Sequence, residues 1–454
     1  MSKNKNPFIS LFSSIQLTLF LLFTLAATSI IGTVIPQNQP SAFYHDKYGP
    51  KLASFMELLY IPDMYNSWWF LLLLAFFSLN LIVCSLERIP LVLTILRKDN
   101  LATKPAKLET MDCCYQIQGG ANNQSGEQYI EKLFFRKGLK AKQRRVEEGV
   151  LYFAEKGGWS RFGVYIVHTS ILVILIGAVI GSATIAEKIL RTPSFAFKGS
   201  IMLPETRQTD FVYAFKTGKP IDLGFSVRCD SFTIDYYDNG MPRTYLSKVT
   251  IIDDGKGEKT NQEIKVNAPL QHKGVHFYQS SYQPYDAFVI TVRKKDTDLE
   301  FTDIITAKKR YTWKQGGVSF GILTTEMSGE QIKRLKIWFD DTKSKPVTFW
   351  VDSDQETTVE RTDGTYIFRA RQLYATGLQV TKDPGAWVVY LGCIMMLAGL
   401  YIAFFRSHRK FYAFVNTSDQ TITLAGYANK DKTGFERYFN EFSGKSKTGG
   451  QQST

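Results

Sequence analysis

The stretch GGWSRFGVYIVHTSILVILIGAVIGS, Gly157 to Ser182, opens on a basic, glycine-bearing lip (Gly157, Gly158, Trp159, Arg161) and runs apolar from Phe162. No Asp, Glu, Lys or Arg interrupts Phe162 to Gly181, some twenty residues, about the length needed to cross the hydrocarbon core of a bilayer. The segment therefore predicts a membrane-spanning helix. At about 1.5 Å per residue, His168 falls on the order of 10 Å inside the interface on the Arg161 side. A polar ring at that depth is costly unless it faces a partner, a cavity or a ligand.

Three further apolar runs flank this one. Phe8 to Ile35 follows Lys3 and Lys5; Ala26, Ala27 and Ser29 admit a signal-peptide reading, but the uncharged run exceeds a signal core and reads as a first span. Trp68 and Trp69 mark an interface belt, and Phe70 to Leu86 stays uncharged until Glu87 and Arg88. Ala386 to Phe405 follows Asp383-Pro384-Gly385 and precedes Arg406, Arg409 and Lys410. The expected organisation is an N-terminal end with span one over residues 1–35, an outer loop over 36–67 and span two over 68–86. An inner basic module over 87–161, span three over 162–184 and an outer β-rich domain over 185–385 follow, then span four over 386–405 and an inner tail over 406–454.

The net charge of +13 raises nucleic acid as a partner, so its location matters. Glu87 to Arg161 holds 14 basic and 9 acidic residues, and Arg406 to Thr454 holds 8 and 4. With Lys3 and Lys5 these segments carry 11 of the 13 charges, all on one side of a four-span chain. That is the positive-inside pattern of a plasma (inner) membrane protein with both termini cytoplasmic, and it argues against a nucleic-acid patch.

The inner module reads as a strand (Cys114 to Gln118), a helix with Ile130, Leu133, Phe134 and Leu139 at helical spacing, and a strand (Val150 to Glu155). A small αβ module is expected, with a helix lying on anionic headgroups as the alternative. Between Ile185 and Asp383, short alternating stretches such as Phe232 to Tyr236, Phe288 to Arg293 and Tyr366 to Arg371 are separated by turn signals: Asp238-Asn239-Gly240, Asp253-Asp254-Gly255 and Asp363-Gly364. These predict a large antiparallel β-rich domain, sandwich or barrel-like. Gly177 and Gly181 form a G-x-x-x-G that permits close helix approach.

Five cysteines, Cys84, Cys113, Cys114, Cys229 and Cys393, form no C-x-x-C and no C-x-x-C-H. Finger, thioredoxin-like and haem-attachment motifs are thus absent, and Cys229 alone would face an oxidising side, without a partner. G-x-S-x-G, H-E-x-x-H and P-loop patterns are absent too. Among the histidines, His168 has two readings, an interhelical hydrogen bond or axial ligation of a haem iron. His408 sits at the inner end of span four, where a helix-dipole or headgroup contact is expected. Arg161, His408 and Arg409 are candidate propionate or headgroup contacts. His45 reads as a solvated loop residue, and His272 and His276 flank Gly274, which is expected to turn the chain between them; two ligands fall short of a zinc site.

Five separated motifs share one further likeness: Gly32-Thr33-Val34-Ile35-Pro36-Gln37; Ser67-Trp68-Trp69-Phe70 with Leu79 to Arg88; Ala154-Glu155-Lys156-Gly157 with Arg161-Phe162-Gly163 and His168; Phe277 to Tyr282; and Phe404 to Lys410. In order and spacing they resemble the ResB family of cytochrome c biogenesis (system II), called CcsB when paired or fused with CcsA. The resemblance covers residues 10–415. It implies a membrane subunit, not autonomous as an enzyme, of a cytochrome c haem lyase or synthase working with a ResC/CcsA membrane protein. It further implies transient haem b, shared with that partner and ligated by His168, passage of haem across the membrane, and its attachment to C-x-x-C-H of apocytochrome c. A thioredoxin-like thiol-reducing protein is a further expected partner, beside membrane lipid. Two alternatives stand: a scaffold that binds no haem and docks apocytochrome or thiol-reducing proteins, and a membrane-tethered sensor, for which no kinase, DNA-binding or cyclic-nucleotide pattern is visible.

Overall fold

The chain is described by a computed structural model over residues 7–118, 125–237, 241–253, 257–295, 297–328 and 331–444. It divides into two compact units, Met1–Ala178 with Ala386–Thr454, and Val179–Gly385. The turn signal Asp238-Asn239-Gly240, Asp254 and Gly255 of the second one, and the final Gly-Gly-Gln-Gln-Ser-Thr fall outside the described residues.

The first unit opens with α1 (Pro7–Phe12), α2 (Ile15–Val34), α3 (Ser41–Tyr48), α4 (Pro50–Leu58) and α5 (Trp68–Arg97). It continues with β1 (Cys113–Gln118), α6 (Gly126–Arg136), β2 (Lys142–Val146), β3 (Gly149–Lys156) and α7 (Gly163–Ile180). The helices Ile15–Val34, Trp68–Arg97, Gly158–Ile180 and Ala386–Phe405 are long and apolar enough to cross a membrane, as the four runs predicted. The second of them outlasts the expected span: α5 continues through Glu87, Arg88 and Pro90 to Arg97. Its 30 residues extend roughly 45 Å, beyond a bilayer core of about 30 Å. The expected outer loop is also largely helical, and α3 and α4 close on Tyr44, Ala53 and Met56.

Small and amide residues bring the apolar helices together. Asn80 of α5 is fully buried; its Nδ2 donates to the Phe12 carbonyl (2.8 Å) and its Oδ1 accepts from Thr18 Oγ1 (2.7 Å). That amide, satisfied at both ends, fixes the α1–α2 corner against α5. On α7 the buried residues are Gly163, Ser170 and Gly177, and on α9 (Ala386–Phe405) they are Gly392, Gly399 and Ala403. A Cβ at Gly392 would stand 2.6 Å from Ile174 Cγ1, and one at Gly399 2.9 Å from the Val167 nitrogen. Gly163, Ser170 and Gly177, like Gly392 and Gly399, recur at a seven-residue spacing, which returns to the same helix face every two turns, and Ala403 follows one turn on. The G-x-x-x-G reading named Gly177 correctly but not Gly181, which lies past α7 against the Asp383 carboxylate.

The second unit carries α8 (Ala183–Lys188) and fourteen strands among its described residues: β4 (Phe197–Pro204), β5 (Gln208–Ala214), β6 (Pro220–Tyr236), β7 (Pro242–Asp253), β8 (Gly257–Lys265), β9 (Leu270–His272), β10 (Val275–Lys294), β11 (Glu300–Ile305), β12 (Tyr311–Trp313), β13 (Val318–Ser328), β14 (Gln331–Asp340), β15 (Val347–Asp352), β16 (Glu356–Arg361) and β17 (Gly364–Lys382). The named strands pair antiparallel throughout, in a ten-stranded sheet β11-β10-β17-β4-β5-β6-β7-β8, with β9 and β16 added on β10 and β17, and a four-stranded sheet β12-β13-β14-β15. The antiparallel β-rich expectation holds. β10 and β17 pair along their length with an irregularity between Pro284 and Phe288. On one side of it Phe277, Leu378 and Val380 enter a core with Phe225 and Val249; on the other Ile290, Phe368 and Ala370 enter a core with Phe320 and Phe339. Two long strands thus serve two hydrophobic cores.

After α9 the chain returns to the first unit as β18 (Arg409–Asn416), β19 (Thr421–Ala428) and α10 (Lys432–Ser443). This corrects the expected polar tail over 406–454. The two strands occupy the centre of a five-stranded antiparallel sheet, β1-β19-β18-β3-β2. One face packs on Ile130, Phe134, Phe435 and Phe439, the other on Leu108, Leu151, Phe153 and Tyr412. Because both faces are covered, every residue from Lys410 to Val415 is buried, and the period-2 alternation that marks a half-buried strand is missing.

Candidate functional site

His168 lies in α7, half-buried, with its Nδ1 3.0 Å from Ser85 Oγ of α5. The Tyr165 ring, one turn earlier, meets the imidazole edge-on at 6.2 Å between centroids. When Nδ1 carries the proton and donates to Ser85, Nε2 presents its lone pair; Nε2 makes no hydrogen bond among the described residues. A ring held by one nitrogen and open at the other is how proteins present imidazole to a metal. A single such ring supplies one ligand, so the residues present would fit one of the two axial positions of a haem iron. No group of three or more His, Cys, Asp or Glu residues among the described residues could hold an ion by itself.

The structure brings Arg161 and His408 together and sets them apart from His168. Arg161 Nε donates to His408 Nδ1 (2.9 Å), and His408 Nε2 donates to Glu155 Oε2 (2.9 Å) of β3. His408 is 1% exposed, which corrects its assignment as a headgroup or propionate contact: both ring nitrogens are occupied inside the protein. Gly158 lies alongside: a Cβ there would stand 3.0 Å from Leu96 Cδ2 and at an ordinary contact distance, 3.6 Å, from His408 Nε2. Beside it, Lys410 is 2% exposed, and its Nζ donates to Asn100 Oδ1 (2.8 Å). Arg409 points elsewhere, over the Tyr438 ring at 5.2 Å.

Burial, the largest effect, pushes the His408 imidazole below its ordinary value; hydrogen bonding to Glu155 opposes it, and Arg161 reinforces it. An acceptor nitrogen facing a permanently charged guanidinium is neutral. Its pKa is depressed on folding, so its contribution to stability is present above the ordinary histidine value near 6.5 and is lost as pH falls below it. Amide hydrogen exchange on the full chain in detergent, corrected for intrinsic rates, is expected to show β3 and β18 opening more readily at about pH 5.5 than at about pH 7.5. His408→Gln should flatten that difference, and pH-independent protection in the wild type would rule out the idea.

The other candidates are structural. His45 is in α3 and not in a loop, 3.7 Å from Glu57 Oε1. His272 is 6% exposed and bonds Asp253 Oδ2 at 3.1 Å, while His276 is the second residue of β10; Lys273 and Gly274 turn the chain between β9 and β10 with positive φ, as expected. Cys229 is fully buried, and burial, aided by Glu205 and Asp230, pushes its thiol up to about 12, so it forms no thiolate near neutrality. Ser85, Glu155 and Lys410 stand inside the motifs that carry the resemblance but had no role assigned from sequence, and Ser85 carries no signal that would join it to a residue in another helix.

Four apolar membrane-length helices with one imidazole among them, joined to β-rich units, define a multi-pass membrane protein. A family model described as the ResB-like family matches residues 15–342 and 324–440, and the chain belongs to that family. It is 27% identical over 445 residues to the cytochrome c biogenesis protein CcsB of Microcystis aeruginosa, covering 95% of this chain and 93% of that one. It is 26% identical over 417 residues to the cytochrome c biogenesis protein Ccs1 of Porphyra purpurea, 87% of each. It is likewise 26% identical over 465 residues to a CcsB of a Synechococcus strain, covering 96% and 91%.

Proposed function

We propose that this chain acts in cytochrome c maturation as the membrane subunit of a cytochrome c synthase, holding haem on His168 together with a ResC/CcsA partner. Family membership and relatives named for cytochrome c biogenesis support the first part. The observation that carries the second is the Ser85–His168 hydrogen bond, which leaves Nε2 available within an apolar helix. When bound, haem supplies vinyl groups for thioether formation with the reduced cysteines of apocytochrome c. The chain's own contribution is to bind and orient: Ser85 fixes the ring, apolar neighbours keep water away, and the partner completes the iron's coordination. Positioning of this kind can accelerate a reaction greatly.

In this reading the plasma membrane holds the four helices with both termini cytoplasmic, the five-stranded sheet is cytoplasmic, and the β-rich unit is extracytoplasmic, where apocytochrome and a thiol-reducing partner would be met. The positive-inside distribution of charge supports that orientation. The test is to co-purify the chain with its partner and compare haem spectra of wild type and His168→Ala. Loss of the imidazole-ligated spectrum is expected in the variant. Unchanged haem loading would leave the scaffold that binds no haem as the surviving reading.

A further inference from the structure

Arg161 and Arg409, expected near a haem carboxylate, are committed to His408 and to Tyr438. The structure offers another cation. Ser85 of α5 meets His168 of α7, and eleven residues further along α5 Leu96 packs against Gly158, ten residues before His168. The two helices are therefore antiparallel with a known register, and Arg88 is level with Tyr165. Arg88 is three residues from Ser85, a spacing that keeps both on neighbouring positions of one helix face. It lies about one turn, roughly 5 Å along the axis, inward of the His168 ring. The guanidinium is exposed and makes no hydrogen bond or ion pair among the described residues.

We propose that Arg88 binds a carboxylate of the ligand whose iron His168 holds, pairing with a haem propionate; this rests on the haem reading above. An imidazole acceptor and a free guanidinium one turn apart present a metal ligand and a carboxylate fork to the same planar molecule, and guanidinium matches carboxylate bidentately where an ammonium does not. Holding the carboxylate edge on the inward side leaves the vinyl edge towards the outer leaflet. The competing occupant of the fork is a phospholipid headgroup, which an arginine at this depth also attracts.

The test uses the co-purified complex, stripped of haem and titrated with ferric haem or with its dimethyl ester while absorption spectra are recorded. Wild type is expected to bind the free diacid about tenfold more tightly than the ester, the loss attached to one charge-assisted pair. Arg88→Gln should keep the imidazole-ligated spectrum but lose the preference, and Arg88→Lys should restore part of it. Equal affinity for acid and ester in the wild type, or an undiminished preference in Arg88→Gln, overturns the proposal and leaves Arg88 a headgroup contact. A His168→Ala complex with unaltered spectrum and affinity would instead remove the haem reading, and this proposal with it.

Discussion

Replacing Arg371 with methionine is expected to destabilise the β-rich unit by about 3–5 kcal/mol, because it strands a buried carboxylate. Glu205 is fully buried at its side chain, and Arg371 forks onto it with Nη1 and Nη2 at 3.1–3.2 Å. The same carboxylate accepts the backbone N–H groups of Phe232 and Tyr374, each at 2.9 Å. It therefore pins β6 and β17 to the turn after β4. Two neutral donors do not balance a full negative charge inside the protein, so the carboxylate left without Arg371 is costly to keep buried. Thermal unfolding of the full chain in detergent, followed by proteolysis within residues 197–382, is the measurement. The double variant Arg371→Met with Glu205→Gln should recover much of the loss, since it removes the charge and keeps an acceptor. If the single variant unfolds with the wild type, the pair does not hold the unit.

Ser85→Ala is expected to weaken haem retention in the complex by roughly 10–100-fold, the range seen when a partner behind a metal-bound imidazole is removed. The hydroxyl does not touch the ligand in this reading. It fixes which ring nitrogen carries the proton and keeps the ring from rotating, so its removal should broaden the spectrum and speed dissociation while leaving imidazole ligation detectable. Ser85→Thr, which keeps the hydroxyl, should stay near wild type. A haem off-rate in Ser85→Ala equal to that of the wild type would show that the 3.0 Å contact has no role in presenting His168.

The apolar helices were legible because a bilayer demands long uncharged runs, and the β-rich unit because half-buried strands alternate. What escaped reading was whatever depends on partners distant in sequence. Strand β18 is apolar without a break from Phe411 to Val415, a run that fits neither period, and its neighbours β3 and β19 are separated from each other by the whole β-rich unit. His408 looked like a helix-end cation because Ser407 and Arg409 flank it, yet it is neutral and enclosed. The chemistry of His168 could be weighed from depth alone, but its hydrogen bond to Ser85 comes from a helix whose register no spacing rule supplies. The turn at Gly274 was read correctly for a local reason: positive φ at residues 273 and 274 is a demand that glycine answers within the hairpin itself.

The five-stranded sheet is completed by strands from opposite ends of the polypeptide, and this sets an order on biosynthesis. At roughly 5–20 residues per second, β3 leaves the ribosome tens of seconds before its neighbour β18 exists. Until then β1 and the β2–β3 hairpin have unclaimed edges. A nascent chain in that interval needs a holding factor or a membrane surface to shield it, and premature termination between α9 and β18 would release a product whose five-stranded sheet is missing its middle.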